Sequence, residues 1–171
     1  MKKYLSLVAL LIIIACVKEP VGWYPDVGVI EVKSDTTTVT FHVPDPDGNG
    51  WHQWEGGEAS QEMTITLKEK AKKDVAISKL KLEFYDENGD EVASYSEHYV
   101  PAIEIDGGKE YSYSVVVNVN EGIADKLDDE TGAKDDFFGN GTIKFSVEGY
   151  DLQRGEAINC IPSYTPIQVE K

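Results

Sequence analysis

From Gly28 to Val169 the apolar residues of this chain recur on alternate positions, a period that fits β-strands and little else. In Thr36–Val43 a β-branched run puts Val39, Phe41 and Val43 on one face. Met63, Ile65 and Leu67 alternate in the same way within 62–68. Tyr111, Tyr113, Val115, Val117 and Val119 do so within 110–120, and Ile143, Phe145 and Val147 within 142–150. Gly28–Val32 reads as a first strand. Val75–Tyr85 is longer and changes face, because Val75 and Ile77 are followed by Leu80, Leu82 and Phe84. One extra residue near Ser78 therefore makes a bulge or a bend. Asp86-Glu87-Asn88-Gly89-Asp90 reads as a hairpin turn in which Asn-Gly supplies positive φ angles, with Glu91–Val100 returning. No sustained helical period occurs; one helical turn is expected around Ile123–Leu127.

Between these runs lie a glycine- and acid-rich loop (Pro44–Glu58), a charged turn (Lys70–Asp74), a long acidic loop (Glu121–Gly141) and a turn at Asp151–Gly155. Ala157–Val169 is expected to close the chain as one or two short strands broken by Pro162 and Pro166. The pattern predicts an all-β chain folded as an antiparallel β-sandwich of about seven to nine strands. The succession of a long hairpin (75–100), a Tyr-rich strand (110–120), then TIKFSVEGYD, a turn and a last strand resembles the later half of an immunoglobulin or fibronectin type III module. The resemblance covers residues 28–169 and is one of pattern; the Cys…Trp…Cys signature of antibody domains is absent. It implies an immunoglobulin-like sandwich, a module common on bacterial surface lipoproteins.

The amino terminus follows different rules. Met1-Lys2-Lys3 is basic, and Tyr4–Ala15 is almost unbroken apolar sequence, too short to span a bilayer and of the length of a secretion signal. It ends in Ile13-Ile14-Ala15-Cys16. This resembles the lipobox of bacterial lipoproteins, with Ile13 as its aliphatic residue and Ala15 as its small one; Ile14 is bulkier than is usual there. The resemblance implies diacylglycerol on the Cys16 sulfur, palmitate-type acyl chains, and cleavage after residue 15. Each buried methylene contributes about 0.8 kcal/mol, so two or three chains anchor durably where one does not. The expected organisation is a signal peptide at 1–15, a lipidated cysteine and tether at 16–27, and one domain at 28–171. Val17 stands where an Asp often retains lipoproteins at the inner membrane. The expected address is the cell membrane or outer membrane, facing periplasm or surface.

Charge narrows the partners. Losing Lys2 and Lys3 leaves 14 basic residues against 31 acidic ones, a net −17 in place of −15. Such a chain repels phosphate backbones, so nucleic acid is excluded, and no polybasic membrane patch is present. Envelope proteins, glycans and divalent cations fit better. With Cys16 lipidated, Cys160 is left without a partner in the chain, as a buried thiol or an intermolecular bridge.

Several constellations are candidate sites. Asp45-Pro46-Asp47-Gly48-Asn49-Gly50 resembles the first half of an EF-hand calcium loop. Asp45, Asp47, Asn49 and the Trp51 carbonyl fall on alternate ligand positions. Position 12 is Gly56 where a bidentate Glu belongs, and the other reading is a solvated turn of Asp, Asn, Gly and Pro. Trp51-His52-Gln53-Trp54 offers Trp51 and Trp54 as an aromatic platform for a sugar or peptide, or as indoles capping one end of the sandwich. Asp125–Asp136 carries five Asp and one Glu, a second cation site or a solvated loop pinned by Phe137 or Phe138. His42, His52, His98 and Cys160 lack zinc spacing, and His42 is expected to face solvent. No nucleophile elbow or phosphate loop occurs. The function expected is therefore non-catalytic: a lipid-anchored envelope protein acting by binding or assembly. The alternative is a calcium-stabilised adhesin or carbohydrate-binding module. A carboxylate-pair hydrolase is the distant third, and it needs two carboxylates roughly 5–10 Å apart across a cleft.

Overall fold

The computed structural model describes residues 26–48, 54–127 and 139–170. Among the described residues there are nine strands: β1 (Val29–Ser34), β2 (Val39–His42), β3 (Glu58–Glu69), β4 (Val75–Tyr85), β5 (Glu91–Ile105), β6 (Glu110–Asn120), β7 (Gly139–Asp151), β8 (Asn159–Ile161) and β9 (Ser163–Glu170). A short helix, α1 (Glu121–Leu127), follows β6. They form an immunoglobulin-like β-sandwich. One sheet has the order β6-β3-β1-β8 and the other β2-β9-β7-β4-β5.

The alternation read from the sequence sets the layers. Val39, Phe41, Leu80, Leu82, Phe84, Ile143, Phe145 and Ile167 line the inner face of the five-stranded sheet, each at 3% exposure or less. Ile30, Val32, Met63, Ile65, Leu67, Val115 and Val117 face them from the four-stranded sheet. Burying each such side chain contributes roughly 1.5–3 kcal/mol. α1 closes one end. The Asn120 side chain caps it by accepting a hydrogen bond from the Ile123 N–H at 3.0 Å, and Ala124 and Leu127 are buried.

Four details differ from the sequence expectations, each for a local reason. The sheets are mixed and not purely antiparallel: β1 runs parallel to β8, and β2 parallel to β9. The first and last strands lie side by side and change sheets together, one between β1 and β2, the other at Pro162. The Ser34 N–H donates to Ser163 Oγ across this switch at 3.2 Å. Pro166 does not break β9. Its β7 partner is Thr142, and the β2 ladder begins only at Ile167, so the missing N–H costs no bond to β2. At the 86–90 hairpin only Gly89 takes positive φ (85°); Asn88 does not. The Gly89 N–H donates to the Asp86 carbonyl and a bulge follows at Phe84/Tyr85, the turn-plus-bulge solution for a longer loop. Finally, β3 begins at Glu58 rather than Glu62, because Ala59 pairs inward opposite Val119.

The bulge near Ser78 is where the change of face placed it. The register of β4 shifts between Ile77 and Lys79 against both neighbours. On the β5 side, Ile77 pairs with Ile103 and Lys79 with His98, and Pro101 falls within β5. A proline in a strand is tolerated at an edge, and β5 is an edge.

Candidate functional site

Among the described residues three carboxylates are buried, the kind of group acid–base chemistry would use. Glu69 is 1% exposed. Its Oε1 accepts from the Ala71 N–H (2.7 Å) and the Val29 N–H (3.4 Å), and its Oε2 from the Gly108 N–H (2.8 Å). It ties the β3–β4 turn, the β5–β6 turn and the start of β1 together. Asp151, fully buried, uses Oδ1 to accept from the N–H groups of Gln153 (2.8 Å) and Arg154 (3.1 Å), which fixes the turn after β7. Its Oδ2 is buried without a hydrogen-bond partner among the described residues. Glu83 points outward from β4, yet is 5% exposed, because Lys81 (2.7 Å) and Lys144 (2.8 Å) close over it. Burial alone would raise the Glu83 pKa; hydrogen bonds from Lys144 and Lys81 outweigh it and hold the carboxyl below its ordinary value. The cover is those two side chains rather than protein interior.

The residues singled out in the sequence lie apart from these. Cys16, Asn49 and Trp51 are outside the described residues, as are His52 and 128–138. Asp45 and Asp47 follow β2 in a turn where the Gly48 N–H donates to the Asp45 carbonyl at 3.2 Å and Gly48 has φ 62°. Trp54 is 6% exposed and packs in the core, with its indole N–H donating to the Gly57 carbonyl at 3.3 Å. Its ring caps the sandwich and offers no open stacking surface. His42 is exposed. Among the described residues no three His, Cys, Asp or Glu side chains gather as a metal group.

Cys160 is a free, half-buried thiol on β8. The β7–β9 ladder ends at Phe145 and Ser163, and the Val147 N–H just beyond it donates to Cys160 Sγ at 3.3 Å. Burial raises the thiol pKa, so the group is a packing and hydrogen-bonding residue and a poor nucleophile. Tyr95 is also pushed up, to about 12, chiefly by burial.

What the structure brings together, and the sequence did not reveal, is a groove on the outer face of the five-stranded sheet. It has a volume of about 430 Å³ and is lined by Tyr85, Asp86, Glu87, Asn88, Gly89, Thr142 and Tyr164. The strand order β9-β7-β4 sets Tyr164, Lys144 and Glu83 in one row, and Pro166, Thr142 and Tyr85 in the next. The two tyrosines thus flank β7, with Thr142 as the floor and the 86–89 turn as one wall. Lys144 Nζ sits 6.0 Å from the Tyr85 ring centroid, and Tyr164 is 60% exposed. The turn is tied by its own hydrogen bonds: Asp86 Oδ1 accepts from the N–H groups of Asn88 and Asp90, both at 2.9 Å, and Glu87 Oε1 accepts from Asn140 Nδ2 at 3.0 Å. The one local hint of the groove is a Tyr placed directly before a polar turn on an outward position.

No family model matches the chain, and no curated protein does. Solved structures do match. The Northeast Structural Genomics Consortium target SoR45 is 12% identical, with 84% of this chain matching 86% of that one at a TM-score of 0.45. The putative ApaA protein from Bordetella pertussis is 10% identical, over 82% of this chain and 87% of that one, at 0.41. PapD-like domain 7 of human CEP192 is 12% identical, over 82% and 84%, at 0.35. At such identities and scores none of them says what this chain does.

Proposed function

We propose that this chain is an exported, lipid-anchored, non-catalytic β-sandwich that works at the bacterial envelope by binding or assembly. The anchor reading rests on residues 1–16: a basic start, an apolar run too short to span, and a small residue before Cys16. Residues 16–27 then serve as lipidated cysteine and tether, and 28–171 as the sandwich.

The binding reading rests on one observation. The buried carboxylates hold the fold, since Glu69 and Asp151 secure turns and Glu83 is paired with lysines at the surface. The outer-face groove, by contrast, presents the exposed Tyr164 ring and side-chain oxygens, Asp86 Oδ2 and Glu87 Oε2, that the hydrogen bonds of the turn leave unused. A preformed concavity with a few convergent polar groups is the usual form of a binding site.

Detergent-phase partition tests the reading. The native protein is expected in the detergent phase, and a Cys16→Ser variant of the full chain in the aqueous phase or retained with its leader. A native protein found in the aqueous phase, or one that like the variant still carries residues 1–15, would refute the anchor.

A further inference from the structure

We propose that the groove between Tyr85 and Tyr164 binds a neutral, hydroxyl-rich sugar unit of a glycan chain. The proposal deepens the binding reading above and rests on it. Asp86 Oδ1 and Glu87 Oε1 are engaged by the turn, but Asp86 Oδ2 and Glu87 Oε2 have no partner among the described residues. The same holds for the hydroxyls of Tyr85, Thr142 and Tyr164 and for the Asn88 side-chain amide. Three hydroxyls, one amide and two carboxylate oxygens thus belong to residues lining one groove and are without hydrogen-bond partners among the described residues. A sugar ring carries hydroxyls that both donate and accept, which suits this mixture.

Shape agrees with that chemistry. Tyr85 and Tyr164 stand two strands apart, roughly 10 Å, and are offset by one residue pair along the strands. A ring-sized ligand can stand over β7 between them, its C–H face against an aromatic face and its hydroxyls toward Thr142 and the turn. A volume of about 430 Å³ lies within the ordinary range for small-ligand sites, and suits a mono- or disaccharide unit. The groove is also open at the surface, so the unit can belong to a longer chain.

Charge chooses neutral sugars over acidic ones. Asp86 and Glu87 border the groove, and the chain carries a net charge of −15. Lys144, 6.0 Å from the Tyr85 ring centroid, is already paired with Glu83. A uronate or a phosphorylated sugar would meet uncompensated carboxylates, while a neutral hydroxyl would donate to them.

The experiment titrates the full chain, purified in a detergent without sugar headgroups, with maltohexaose, cellohexaose, mannohexaose and hexagalacturonate, by calorimetry. At least one neutral hexasaccharide is expected to bind with Kd below about 1 mM. Tyr164→Ala should weaken it at least tenfold with an unchanged melting temperature, since that side chain is mostly exposed. Hexagalacturonate should bind at least tenfold more weakly. Tyr85→Ala gives a second, independent loss. No binding by any neutral probe, binding unaffected by both tyrosine variants, or equal binding of the uronate would overturn the proposal. Partition of the same preparation into detergent reports on the anchor separately, so a failed titration with normal partition sinks the sugar assignment alone.

Discussion

Replacing Glu69 tests how the ends of the two sheets are held. Its carboxylate accepts two short bonds, from the Ala71 N–H at 2.7 Å and the Gly108 N–H at 2.8 Å, and a longer one from the Val29 N–H at 3.4 Å. A hydrogen bond to a charged group contributes about 1.5–3 kcal/mol, and a buried donor left unpaired costs a similar amount. Counting only the two short bonds, Glu69→Ala should destabilise the domain by about 3–6 kcal/mol. Glu69→Gln keeps one carbonyl oxygen but turns an N–H toward a backbone donor. It should cost about 1–3 kcal/mol, between wild type and alanine. For a domain of this size 1 kcal/mol shifts the melting temperature by about 4 °C, so the alanine variant should melt roughly 12–24 °C lower. Thermal unfolding followed by circular dichroism measures both. An alanine variant within about 1 kcal/mol of wild type would show that solvent replaces the carboxylate, and that these turns need no tie.

Two further outcomes follow from the geometry. Gly149 lies opposite Ile77 at the β4 bulge, and a Cβ built there would sit 2.2 Å from the Ala76 carbonyl oxygen and 3.0 Å from Ile77 Cα. Gly149→Ala should therefore cost about 3 kcal/mol or more by urea titration, and a change below about 1 kcal/mol would mean that the strands are not so close. Glu83 has a folded-state pKa below its ordinary 4.5, so the stability it adds is present above the unfolded value and is lost as pH falls through the folded one. Wild type should melt above Glu83→Gln near pH 6, and the gap should close as pH drops below about 4; a gap independent of pH would remove the Lys81–Glu83–Lys144 pairing from the account.

Much of the fold was legible because strand periodicity is a local signal. The change of apolar phase between Ile77 and Leu80 revealed the bulge, and the inward rows of β6 and β7 came directly from alternation. The helical turn at the start of the acidic stretch also showed in the spacing of Ile123 and Leu127. Strand partners were not legible. Whether β1 lies parallel to β8 depends on the whole chain path, and nothing at Ile30 or Cys160 announces it. Pro166 looked like a breaker because its neighbour β2, far off in sequence, begins one residue later. The buried carboxylate of Glu69 sits in a charged stretch that looks solvated, and its backbone donors come from three separate segments. The groove escaped for the same reason. Tyr85 and Tyr164 belong to β4 and β9 and meet only because β7 lies between them. Conversely, Trp54, conspicuous among polar residues, is a core side chain, since the loop after it turns back through Gly56 and Gly57 at positive φ.

Intact mass spectrometry of the native protein tests most directly whether acyl chains on one sulfur hold this acidic sandwich at a bilayer. The predicted species begins at Cys16 and carries the added mass of a thioether-linked diacylglycerol, with or without a further amide-linked acyl group. A chain that retains residues 1–15, or one that begins at Cys16 with an unmodified thiol, would contradict it.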